Sequence, residues 1–149
     1  MYQLLSAPDT FYNINRKHLA LQNQEYFDIG PRYRSPSGWE HSISILNDMD
    51  DYSLPCEKIR ILLKVVRNIT TTYTEEHGEG APPLAADDFL PIFIYVISHS
   101  SISNATLMRQ LICETMVHSI SVGLVGYFVT MLEAAVEYIA SLENEGTTA

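Results

Sequence analysis

Apolar residues recur along this chain at steps of three and four, and no useful length alternates at the two-residue period of a strand. The pattern predicts an all-α protein, a layered bundle of about five to six helices. Trp39, Ile43, Leu46 and Met49 mark a short amphipathic helix that Ser37 can cap and that Asp48, Asp50 and Asp51 close. A longer helix opens near Pro55 and carries Ile59, Leu62, Leu63, Val66, Ile69 and Tyr73 on one stripe, with Lys58, Arg60, Lys64 and Arg67 on solvated faces. Glu75 to Pro83 reads as an acidic loop full of breakers. After a polar connection from Ser98 to Ser103, Thr106 to Met116 is helical, with Leu107, Leu111 and Ile112 inward. Gly123 and Gly126 bracket a turn, and a final helix from about Tyr127 to Leu142 buries Phe128, Met131, Leu132, Ala135, Ile139 and Leu142. The division expected is a weakly structured segment over 1–25, a short helix or loop at best. A helical domain over 26–143 and a flexible tail over 144–149 follow it.

The stretch from Ala85 to Ser98 organises the rest. Asp87 and Asp88 stand directly before an apolar run with Pro91 just inside its start. Proline lacks an N–H and fits without strain only in a first turn. An unkinked helix therefore begins beside Pro91, with Asp88 as its only capping type, and leaves Asp87 one residue outside with a free carboxylate. The alternative is a helix that starts a turn earlier and kinks at Pro91. Both carboxylates serve equally as ordinary charges at a helix N-terminus, or one is presented at the lip of an apolar surface towards a partner. On the last helix Tyr127, Thr130 and Ala134 share a stripe apart from the core. It is either a small contact patch or a packed tyrosine beside a hydroxyl that bonds its own backbone.

Composition narrows the function. A chain of 149 residues, 46% hydrophobic, holds one core. Its net charge of -9 argues against nucleic acid and anionic membrane as main partners and leaves another protein. The longest apolar run falls short of the ~20 residues that cross a bilayer, so no direct membrane insertion is expected. Met1 to Leu5 has neither a basic leader nor a long apolar region. Cys56 and Cys113 read as reduced core thiols. His18, His41, His77, His99 and His118 form no pair at a metal-binding interval, and neither a glycine-rich phosphate loop nor a nucleophile elbow is present. No metal, no cofactor and no bond-making catalysis are expected.

Four segments carry a resemblance. Ala86-Asp87-Asp88-Phe89-Leu90-Pro91 followed by Ile94-Tyr95-Val96, and Gly126-Tyr127-Phe128-Val129-Thr130, resemble the vacuolar-protein-sorting-nine (VPS-nine) domain. Pro55-Cys56-Glu57-Lys58-Ile59 is similar to that family's proline-x-glutamate/aspartate-lysine start, and Tyr26-Phe27-Asp28-Ile29 to its upstream extended segment. The family comprises guanine nucleotide exchange factors for Rab-five-class GTPases of the early endocytic pathway. The resemblance implies that Asp87 is the acting carboxylate and that Tyr127 and Thr130 contact the GTPase. Pro91 and Asp88 stand beside them on the partner-binding side. It implies a small GTPase in its nucleotide-free or GDP form as partner, and a cytoplasmic chain peripherally associated with endosomes. Most members carry Gly-Glu-x-Gly where this chain has Gly123-Leu124-Val125-Gly126, and most place a helical bundle ahead of the domain. The alternative function is a catalytically weak module of the same fold that binds a GTPase or an adaptor. A third is an unrelated helical scaffold in which both carboxylates only cap.

Overall fold

The computed structural model describes residues 7–51, 55–78, 80–101 and 124–141, with the backbone alone for 7–11, 50, 55–56 and 124–129. Among these residues the chain is all-helical, as its periodicity predicts. Five α-helices span Ala7–Leu19 (α1), Glu40–Asn47 (α2), Pro55–His77 (α3), Ala86–His99 (α4) and Leu124–Ser141 (α5). Two 3-10 turns, Pro31–Tyr33 and Asp48–Asp51, lie between them. The expected helix over Thr106 to Met116, Cys113, Gly123, Leu142, residues 1–6 of the proposed N-terminal segment and the whole proposed tail over 144–149 lie outside the described residues, as do the Cys56 and Phe128 side chains.

α4 is the central element. It packs against α1, α2 and α5, and its residues are buried on most sides: Phe89, Ile92, Phe93, Tyr95, Val96 and Ile97 all enter the core. An apolar run without a polar face has no other stable place in a small domain. α3 packs mainly on α2 and buries Leu62, Val66, Ile69 and Tyr73, and α5 adds Met131, Leu132, Ala135 and Ile139 to the core. The sequence stripe on α3 is rotated slightly. Ile61 and Val65 are buried, whereas Ile59 and Leu63 are half-buried.

Several expectations are corrected. Lys58 is not on a solvated face. It is 8% exposed, one turn before Leu62, and its Nζ donates to the Met49 carbonyl at 3.1 Å. A long apolar stem that reaches a backbone acceptor lets lysine occupy a core position. Arg60, Lys64 and Arg67 do face solvent. Glu75, Glu76 and His77 belong to α3, not to a loop. Ser37 does not cap α2; its Oγ donates to Glu76 Oε2 at 2.7 Å, and the residue before α2 is Trp39 in the left-handed region at φ 60°. Gly126 lies inside α5, which begins at Leu124. A single glycine costs a helix only ~1 kcal/mol, less than tertiary packing returns.

The weakly patterned N-terminal stretch contains a helix of 13 residues. Tyr12 and Leu19 of α1 are buried in the same core as α4 and α5. Two polar side chains complete the seat by serving helix C-termini, whose last carbonyls lack intrahelical donors. Asn15 Nδ2 donates to the Ile139 carbonyl at 2.7 Å, and Arg16 Nη1 to the Ser100 carbonyl at 2.6 Å. Ile14 and Leu21 remain exposed on this end of the molecule.

Candidate functional site

The site grows from the start of α4. Ala85, in extended conformation, precedes the helix, and Asp88 is its third residue. Asp88 Oδ2 accepts the Ala85 N–H at 3.2 Å, the side-chain half of a capping box. Asp88 is thus not the residue ahead of the helix; the helix starts a turn earlier, the second of the two readings above, with Pro91 inside it. Its carboxylate is still committed to the helix start. Asp87, in the first turn, is exposed, and its carboxylate makes no hydrogen bond or ion pair among the described residues. The positive end of the helix dipole supports a negative charge there.

Asp87 borders a pocket of about 260 Å³. Leu90, Pro91 and Ile94, each half-buried, form its α4 wall. The opposite rim comes from Tyr26, Phe27 and Asp28, and Tyr138 of α5 closes it. Among the described residues every side chain in that lining is apolar, aromatic or acidic, and none is basic.

The rim is a built turn, not the extended segment its resemblance suggests. Tyr26 N–H donates to Asn23 Oδ1 at 3.0 Å, and the N–H groups of Phe27 and Asp28 fold back onto Gln24 and Glu25 carbonyls. Asp28 sits in the left-handed region at φ 63°, which short polar side chains tolerate. Phe27 packs edge-on against Tyr95 of α4 with ring centroids 5.2 Å apart, while Tyr95 stacks on His99 at 4.0 Å. His99 Nε2 in turn donates to the Gln22 carbonyl at 2.9 Å. Gln24 clamps the backbone of Ser35 on both sides, accepting its N–H and donating to its carbonyl, each at 2.9 Å. Arg34 Nε holds the Ile29 carbonyl at 2.7 Å. α4 therefore carries Asp87 at one end and, through Tyr95 and His99, supports the turn that presents Asp28.

Of the residues singled out from sequence, Asp87 and Pro91 line this pocket together, and Asp88 lies beside them in its capping role. Thr130 is exposed on α5 and does not line it. The Tyr127 side chain lies outside the described residues. The α5 tyrosine that lines the pocket among the described residues is Tyr138, eight residues and roughly 12 Å further along than Thr130. It continues the stripe of Thr130 and Ala134 by one more step of four, a signal present in the sequence. Asp28 carried no such signal, because its position depends on a turn that composition does not announce. Among the described residues no three of His, Cys, Asp and Glu converge as a metal site.

The loop that delivers the chain to Asp87 is pinned from α3. Tyr73 Oη donates to the Pro82 carbonyl at 2.6 Å, and the Tyr73 ring lies 4.6 Å from that of His77.

The chain matches the Vacuolar sorting protein 9 (VPS9) domain over residues 39–144. It is 26% identical to human Ras and Rab interactor 3 over 97% of this chain and 15% of that protein. It is 28% identical to Arabidopsis thaliana vacuolar protein sorting-associated protein 9A over 80% of this chain and 23% of that protein. The mouse Ras and Rab interactor 3 is 30% identical over 70% of this chain and 10% of that protein. The chain thus spans less than a quarter of the length of these relatives. A match covering most of the chain, on an all-helical fold, establishes that it belongs to the VPS9 domain family.

Proposed function

We propose that this chain is a guanine nucleotide exchange factor that promotes GDP release from Rab-five-class small GTPases in endosomal vesicle traffic. The observation that carries the reading is the exposed Asp87 carboxylate, without a partner among the described residues, beside the apolar wall of Leu90, Pro91 and Ile94 on a VPS9-domain chain. Human Ras and Rab interactors 3 and 1, relatives whose names declare interaction with Ras and Rab, support a small GTPase as partner.

The mechanism is electrostatic. A GTPase holds its nucleotide partly through a phosphate-loop lysine that pairs with the β- and γ-phosphates. Asp87 takes that lysine as its own partner and repels phosphate and Mg²⁺ coordination. Losing one partner of a buried charge pair costs ~3–5 kcal/mol. At ~1.4 kcal/mol per decade this speeds release by roughly two to three and a half decades. Asp88 fixes the turn that presents Asp87, Pro91 shapes the wall, and Tyr127 and Thr130 hold the partner's switch segments open. The chain acts in the cytoplasm, peripherally on endosomes. No helix among the described residues is long and apolar enough to cross a membrane, and the charge of -9 favours recruitment through protein contacts. Release of labelled GDP from a Rab-five-class GTPase tests the proposal. Asp87→Ala is expected to slow it about a hundredfold or more, and an unchanged rate overturns the reading.

One observation favours a second reading, a catalytically weak GTPase- or adaptor-binding module. The first turn of α5 holds no acidic residue, and Leu124 stands where most members carry glutamate. Binding to nucleotide-free, GDP and GTP forms separates the two. An exchange factor prefers the nucleotide-free partner, and a module that only binds does not.

A further inference from the structure

The pocket beside Asp87 holds a second carboxylate, and the two differ in setting. Asp28 stands on the opposite rim, exposed, with no partner for its carboxylate among the described residues. Its backbone is fixed by the turn hydrogen bonds, by Phe27 against Tyr95, and by the buried Ile29 next to it. Tyr26 and Tyr138 line the same pocket, 51% and 47% exposed, two large aromatic side chains left half in water. A carboxylate beside half-exposed aromatic rings, with no cation among the described residues of the lining, is complementary to a guanidinium. The planar cation forks onto the carboxylate and stacks on a ring.

We infer that Asp28, with Tyr26 and Tyr138, forms a second cation seat that takes an arginine on the GTPase surface, distinct from the lysine assigned to Asp87. The inference rests on the exchange-factor reading and deepens it by dividing the labour of the groove. Asp87, at the helix N-terminus beside the apolar wall, acts on release. Asp28 selects and orients the partner before release, because a rim charge governs encounter and register more than it governs chemistry. Asp28 is a positioning residue whose contribution appears in affinity and salt dependence. A partner without a cation at that place binds weakly even where its phosphate loop is the same.

The test uses the whole chain with a nucleotide-free Rab-five-class GTPase. Asp28→Asn keeps a residue that tolerates positive φ and removes only the charge. It is expected to weaken binding about tenfold, the equivalent of ~1.4 kcal/mol, to flatten the dependence of affinity on salt, and to raise KM for GDP release while kcat holds. Tyr138→Ala is expected to weaken binding severalfold, with Tyr138→Phe restoring it, since the ring and not the hydroxyl makes the contact. Asp28→Asn with native affinity and native salt dependence overturns the inference and leaves Asp87 untouched. Loss of kcat with unaltered affinity also overturns it. A native chain that binds but does not speed release defeats the exchange reading, and the same affinity series then still decides on Asp28. A native chain that binds no such GTPase defeats both.

Discussion

Pro91 follows Asp87 by four residues inside α4, so the N–H that would close the helical bond on the Asp87 carbonyl is replaced by a ring. The residue whose carboxylate is exposed is thus also the one whose carbonyl lacks its i+4 donor.

Pro91→Ala restores that N–H. An interior proline costs an isolated helix about 3 kcal/mol or more, part of which the native packing has already absorbed, so the variant is expected to gain about 1–3 kcal/mol in urea unfolding. GDP release from the partner is expected to slow, because the wall and the carbonyl both change. A variant that is more stable and equally active would show that the proline serves neither.

Asp88→Ala removes the acceptor for the Ala85 N–H. The expected loss is about 0.5–1.5 kcal/mol of stability, with a smaller effect on release than Asp87→Ala. Thermal unfolding alongside stopped-flow GDP release measures both.

Lys58→Met leaves the Met49 carbonyl without its donor in the core. Unfolding free energy is expected to fall by about 1–3 kcal/mol. Lys64→Met, on the exposed face of the same helix, should stay within about 0.5 kcal/mol of the native chain. Equal effects at the two positions would contradict the buried role of Lys58.

His99 gives a pH dependence of defined sign. Burial pushes its imidazole below the ordinary value of 6.5, against the opposing pull of the Gln22 carbonyl. As pH falls, the unfolded chain takes up this proton first. The contribution is therefore full above 6.5 and is lost as pH drops through the lower folded value. Comparing urea midpoints near pH 7.5 and about pH 5.5, the native chain is expected to lose more stability than His99→Gln, whose amide can still reach Gln22. Because Tyr95 and Gln22 hold the turn of Asp28 through His99, partner affinity should weaken over the same interval.

Helices with long apolar stripes were legible in the sequence. Leu62, Val66, Ile69 and Tyr73 on α3, and Met131, Leu132, Ala135 and Ile139 on α5, are buried where the 3.6-residue period puts them. Three kinds of feature were not. The start of α4 depends on how much proline strain the surrounding core tolerates, which no local rule states. Lys58 occupies a core position because a distant carbonyl meets its ammonium group, and only the tertiary fold brings Met49 there. Asp28 reaches the pocket through a turn held by Gln24, Ser35 and Arg34, contacts that become visible only after the chain has folded. Asp87 was legible because two adjacent carboxylates before an apolar run are unusual, whereas Tyr138 was one helical step beyond the stripe that signalled Thr130.

The Asn15–Ile139 hydrogen bond joins positions 124 residues apart. During synthesis, at 5–20 residues per second, α1 waits roughly 6–25 s for the helix it covers to be made. Until then Tyr12 and Leu19 have no seat on α5, and nascent chains carry an amphipathic helix whose uncovered apolar side a chaperone can recognise. Closing so long a loop late also predicts slow refolding for a helical protein of this size.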